Sequence, residues 1–213
     1  PGLAICIAAV VQIPKGIPGY CAAGSLFCAC FAPIFVCPDL YMSTQPSPST
    51  WPAKTSHLIS RRSGVSLRPL VVFGTRPAAI KLAPVILECQ RREDGISPIV
   101  CSTGQHREML AQVLDYFSIA PDVDLGLMKP GQTLSGLTAG CLEAVDRVIV
   151  DQNPDCVVVQ GDTTTVMASA MAAFYHRIPV VHVEAGLRTG DLTAPWPEEF
   201  NRRVAGIVTT LHC

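Results

Sequence analysis

Three stretches set the fold: Cys156–Thr165 (CVVVQGDTTT), His182–Gly190 (HVEAGLRTG) and Trp196–Arg202 (WPEEFNR). The first is a buried apolar run that ends in Gly-Asp. The second ends in Glu-Ala-Gly. The third opens a helix with a Glu pair behind a proline. This pattern puts Asp162, Glu184 and Glu198 at strand ends and a helix start. In an open α/β sheet those ends line the ligand crevice.

Upstream, Leu70–Phe73 reads as a short buried strand that runs into Gly74-Thr75-Arg76-Pro77. Proline suits the first turn of a helix, where its missing N–H is not needed. Leu82, Ala83, Ile86 and Leu87 then recur at helical spacing. A strand, a glycine turn and a helix start together make an anion site, with Arg76 and Lys81 beside it. The stretch is neither GxGxxG nor a Walker loop, so a plain structural turn stands as the alternative.

Pro98–Cys101 is a second strand, followed by a helix with Met109, Leu110, Val113, Leu114 and Phe117 on one face. Residues 118–132 read as loop. A long helix covers about 133–151 and ends at Asn153-Pro154. Strands at Cys156–Gln160 and Val180–Val183 flank a helix over about 163–176, and a last helix starts near Pro197. Another strand is expected after it. Continuous apolar strands alternating with helices predict an α/β fold: a Rossmann-like parallel sheet with helices on both faces.

The 213 residues carry a formal charge of −1 and show no basic stripe, which argues against a nucleic-acid partner. Residues 1–68 hold one acid, Asp39, against five basic residues, and the rest is net acidic. Residues 1–67 are apolar at first, then rich in Ser, Thr and Pro, with Arg61 and Arg62 near the end. Such a leader resembles an organelle transit segment; a spurious extension and a secretory signal are the competing readings. Tyr20–Cys37 is apolar but short for a membrane span and broken by Pro33. The ten cysteines include no CxxC pair, so zinc binding and a disulfide framework are not indicated. His106, His176 and His182 lack metal-ligand spacing and read as hydrogen-bonded residues.

Each acid has an ordinary reading. Asp162 could cap the helix that follows it. Glu198 and Glu199 suit a helix N-terminus. Glu184, at the end of a buried strand, must be paired, solvated in a cleft or neutral. Three acids on one sheet edge suit proton transfer, one as base and another as acid, with Arg188 and Arg202 balancing charge.

The stretches VVFGTRPAAIKLAPV (71–85), STGQHREML (102–110), QGDTTTVMASAMAAFYHRIPVVHVEAGLRTGD (160–191) and PWPEEFNRR (195–203) closely resemble non-hydrolysing UDP-N-acetylglucosamine 2-epimerases. The match runs from about residue 68 to the last residue. It implies the N-terminal Rossmann-like domain, the first half of a GT-B-like two-domain enzyme, with the second domain missing. It also implies interconversion of UDP-N-acetylglucosamine and UDP-N-acetylmannosamine, by elimination of UDP and re-addition with inversion at C2. By motif, Asp162, Glu184 and Glu198 are the acid–base candidates. Arg76, Lys81 and Arg188 match residues near the nucleotide and cleft. Gln105 and His106 match a segment that, in some bacterial members, touches a second UDP-GlcNAc acting as activator. The resemblance implies a UDP-sugar substrate, a homodimer, no metal or other cofactor, and a cytoplasmic enzyme unless the leader directs it to an organelle. One departure stands out: Ala78 occupies the position where the family commonly has Glu. Two further readings remain, a non-catalytic Rossmann-like binding protein and a hydrolysing 2-epimerase relative.

Overall fold

The computed structural model of the chain describes residues 67–92, 95–104 and 107–213. The leader over residues 1–66 and the Gln105–His106 pair lie outside the described residues. The elements in chain order are β1 (Pro69–Phe73), α1 (Arg76–Arg91), β2 (Ile99–Ser102), α2 (Arg107–Tyr116), β3 (Val123–Asp124), α3 (Leu134–Gln152), β4 (Cys156–Gln160), α4 (Thr164–Tyr175), β5 (Val180–Val183), α5 (Glu198–Val208) and β6 (Leu211–His212).

The six strands form one parallel sheet in the order β3-β2-β1-β4-β5-β6. Order reverses between β1 and β4, which pair with Leu70 opposite Val157 and Val71 opposite Val158. Every residue of β1, β2 and β4 is buried. This is why these strands read as continuous apolar runs rather than alternating ones. Val71, Phe73, Val100 and Val158 face α1 and α2 in one core layer. Leu70, Val72, Val157, Val159 and Val180 pack with residues of α3, α4 and α5 in the other. Adjacent residues of a strand thus enter opposite layers, as the two-residue period of a strand requires.

Local signals account for most element ends. Pro77 stands in the first turn of α1 and Thr75 is its N-cap, with no side-chain cap bond. Ala78, Leu82, Ile86 and Cys89 form its buried stripe. Pro84 lies inside α1 on its exposed side, where water can serve the carbonyl that the missing N–H would have used. Thr133 caps α3 by accepting from the Gly136 N–H at 3.1 Å. Asn153 ends it in the left-handed conformation, φ 45°, a common helix stop before a proline.

One detail departs from the sequence reading. Residues 118–132 include a two-residue strand, β3, paired with β2 at Cys101↔Val123 and Ser102↔Asp124. Val123-Asp124 is too short to give a periodic signal, and only the neighbouring strand edge defines it. The buried Thr103 and Thr165 hydroxyls lie 3.0 Å apart and tie the end of β2 to the first turn of α4. Among the described residues no helix is long and apolar enough to cross a membrane.

Leu82 is fully buried in α1 against the sheet. Leu82→Ala is expected to lower unfolding free energy by ~2–5 kcal/mol, measured by denaturant titration, through lost burial and the cavity left behind. An unchanged midpoint would show that α1 does not pack on the sheet in this way.

Candidate active site

The strand order places a crevice where the sheet changes direction. A cleft of about 410 Å³ opens there. The turn after β1 contributes Thr75, Pro77, Ala78 and Lys81. The end of β4 contributes Gln160, Gly161, Asp162 and Thr163. Glu184 and Leu187 come from the end of β5, and Arg202 from α5.

Asp162 follows Gly161, whose φ of +82° makes the sharp bend at the strand end. The residue that caps α4 is Thr163, not Asp162, and its side chain makes no cap bond. The Asp162 carboxylate instead receives the Arg202 guanidinium. Its backbone carbonyl accepts from Asn201 Nδ2 at 3.0 Å. The capping reading of Asp162 is therefore corrected. The buried cation on α5 competes for the carboxylate more strongly than a helix N–H.

Glu184 directly follows β5 with φ +58°, an uncommon conformation for a residue with a side chain. It takes Lys81 Nζ at 2.5 Å and also accepts from Gln160 Nε2. Of the three options open to this glutamate, the structure selects pairing, in a half-exposed position. Gln160 is the contact that sequence reading missed. As the last residue of a buried strand it showed no charge and no motif of its own.

Two helix N-termini meet this cleft, α1 through Thr75 and Pro77 and α4 through Thr163. Neither has a side-chain cap bond and neither has an acid in its first turn. Their open N–H groups and dipoles favour an anion. The cleft thus combines two carboxylates, Lys81, the buried Arg202 and two anion-favouring helix ends.

The remaining candidates are placed as follows. Arg76 is the exposed first residue of α1 and is not among the residues lining the cleft. Glu198 opens α5 and does not line it either. Its neighbour Glu199 is the buried acid, accepting from the Thr189 N–H at 3.1 Å and from Arg203 Nε at 2.8 Å. Those donors hold the Glu199 carboxyl below its usual range. They also pin the loop after β5 onto α5. Arg188 donates to the carbonyls of Ala185 and Leu187, at 2.6 and 2.7 Å, within that loop. His176 pairs with Asp146 at 2.6 Å on the outer helices, away from the cleft.

Comparison with known proteins matches this arrangement to a family. Residues 88–213 fit the family model described as UDP-N-acetylglucosamine 2-epimerase. The chain belongs to the UDP-N-acetylglucosamine 2-epimerase family. It is 53% identical to the UDP-N-acetylglucosamine 2-epimerase of Escherichia coli K12 over 146 residues, 68% of this chain and 39% of that protein. The crystal structure of the Neisseria meningitidis enzyme bound to UDP-GlcNAc superposes with TM-score 0.66 at 53% identity, covering 68% of this chain and 39% of that one. The S. aureus MnaA–UDP co-structure gives TM-score 0.66 at 46% identity, over 68% and 38%. The chain spans about two fifths of the length of the relatives it matches.

None of the five described cysteines lines the cleft. Cys89, Cys101, Cys141 and Cys156 are buried, and Cys213 is exposed. Burial pushes the Cys89 thiol up to about 11 and that of Cys101 to about 12. Only thiolates alkylate quickly. Iodoacetamide at pH 7.5, mapped by mass spectrometry, is expected to label Cys213 at least tenfold faster than these four. Comparable labelling of Cys101 would contradict its placement in the core.

Proposed function

We propose that the whole protein interconverts UDP-N-acetylglucosamine and UDP-N-acetylmannosamine, with Asp162 and Glu184 as the acid–base groups. The observation that carries this reading is that both carboxylates face one cleft, each held by a different cation. Asp162 has Arg202, and Glu184 has Lys81. Inversion at C2 requires a proton to leave one face of the sugar and return to the other. Two separately held carboxylates suit that task, because their environments can set their protonation independently.

The chemistry runs as follows. A base takes the C2 proton, and the C2–H electron pair forms a C1=C2 double bond. The C1–O bond to UDP breaks, and the oxygen keeps its electrons as UDP departs. Re-addition of UDP to 2-acetamidoglucal with protonation of C2 from the opposite face gives the epimer. The departing diphosphate gains negative charge. Lys81, Arg76 and the open N-termini of α1 and α4 would stabilise it. Glu198, at the first turn of α5, is the third acid–base candidate. Arg188 acts on this reading through the loop whose carbonyls it binds. The relatives crystallised with UDP-GlcNAc and with UDP support the choice of substrate. Residues 68–213 form the N-terminal domain on this proposal, with a second domain supplying the rest of the nucleotide pocket.

In the whole protein, Asp162→Asn and Glu184→Gln are each expected to lower kcat by ~100-fold or more, as loss of a general acid or base does. Product formation is followed by chromatography of the two UDP-sugars. Near-wild-type turnover in either variant would remove that residue from the mechanism.

A further inference from the structure

His182 is fully buried on β5, among the largest side chains with no solvent contact. It sits opposite Val159 of β4 and His212 of β6. Its Nε2 lies 2.6 Å from the carbonyl oxygen of Gly161. A carbonyl only accepts, so Nε2 must carry the proton. The other ring nitrogen, Nδ1, is buried and has no hydrogen-bond partner among the described residues. Burial lowers the proton affinity of this imidazole, the Gly161 hydrogen bond opposes that, and His212, Arg202 and Arg188 push the same way as burial. With Nε2 facing a carbonyl and no acceptor beside Nδ1, the geometry fits the neutral Nε2–H tautomer.

A histidine with one nitrogen unused is an expensive core residue. A buried acceptor without a donor destabilises the fold, and an apolar side chain would avoid that penalty. What an apolar side chain cannot supply is the donor to Gly161. That carbonyl belongs to the peptide joining Gly161 to Asp162. The Gly161 N–H donates in turn to the Val183 carbonyl at 3.0 Å. β5 thus grips both polar groups of the bend, while α5 grips the next residue through Asn201 and Arg202.

We propose that His182 is a positioning residue for Asp162, fixing the plane of the Gly161–Asp162 peptide so that the carboxylate enters the cleft in one orientation. The proposal rests on the acid–base reading of Asp162 given above. Rotation of that plane would swing the Asp162 Cα–Cβ bond. A displacement of about 1 Å at a reacting group can lower turnover by roughly 100-fold.

The test compares His182→Gln with His182→Asn in the whole protein. The glutamine amide reaches about as far as Nε2 and can still donate to Gly161. The asparagine amide reaches only to the position of Nδ1. Asparagine is expected to lower kcat ~10–100-fold with KM within threefold, and glutamine to restore kcat to within threefold of wild type. Equal kcat in the two variants, or a loss confined to KM, would overturn the proposal. If neither variant folds, the wild-type protein still decides it through long-range 1H–15N correlation of the His182 ring at pH 7. A neutral Nε2–H ring is expected; an Nδ1–H ring or an imidazolium would overturn it. If wild type shows no epimerisation, the acid–base reading fails, and the ring tautomer still judges the contact separately.

Discussion

The guanidinium of Arg202 joins three parts of the chain that are far apart in sequence. It is 4% exposed. One nitrogen serves the Asp162 carboxylate at the end of β4, and the other faces the carbonyls of Glu184 and Leu187, each at 3.4 Å, after β5. A buried cation is tolerated only when its donors are used, and here the acceptors are the groups that shape the cleft. Removal of the guanidinium would leave the Asp162 carboxylate and the Glu184 carbonyl short of a donor, whereas Leu187 keeps Arg188. A fully buried group left unpaired costs about 1–3 kcal/mol, and less where water reaches it. The same residue therefore balances charge and joins the ends of β4 and β5 to α5.

The sheet makes this arrangement reachable. Parallel strands deliver all their C-terminal ends to one edge, and the reversal of order between β1 and β4 leaves a gap there. The helices after β1 and β4 start at that gap without side-chain caps, so their dipoles and N–H groups stay available. α5 is different. Its first turn is acidic, and the buried Glu199 holds the Thr189 segment in place. The cleft thus has an anion-favouring floor from two helices, while the third helix contributes Arg202 as a clamp.

Much of this was legible in the sequence, and the misses share a cause. The apolar runs at Leu70, Cys156 and Val180, with Gly-Asp and Glu-Ala-Gly behind them, announce strands that end at a crevice. Pro77 and Asn153-Pro154 mark helix ends through backbone chemistry alone. What could not be read were pairings across the fold. Asp162 looked like a cap because a cap is local, whereas its actual partner lies forty positions away. Gln160 showed no signal because its role exists only beside Glu184. Of the two adjacent acids Glu198 and Glu199, spacing could not tell which is buried, since that depends on where the preceding loop docks. Val123-Asp124 is a strand only because β2 offers a free edge.

The central proposal is that, in the whole protein, this cleft moves a proton on and off the sugar carbon next to the departing nucleotide. The most direct measurement is to incubate UDP-N-acetylglucosamine with the whole protein in deuterium oxide and read the C2 position by NMR. The account predicts one solvent deuterium at C2 of the UDP-N-acetylmannosamine formed. Epimer that forms with its original C2 hydrogen retained would contradict it.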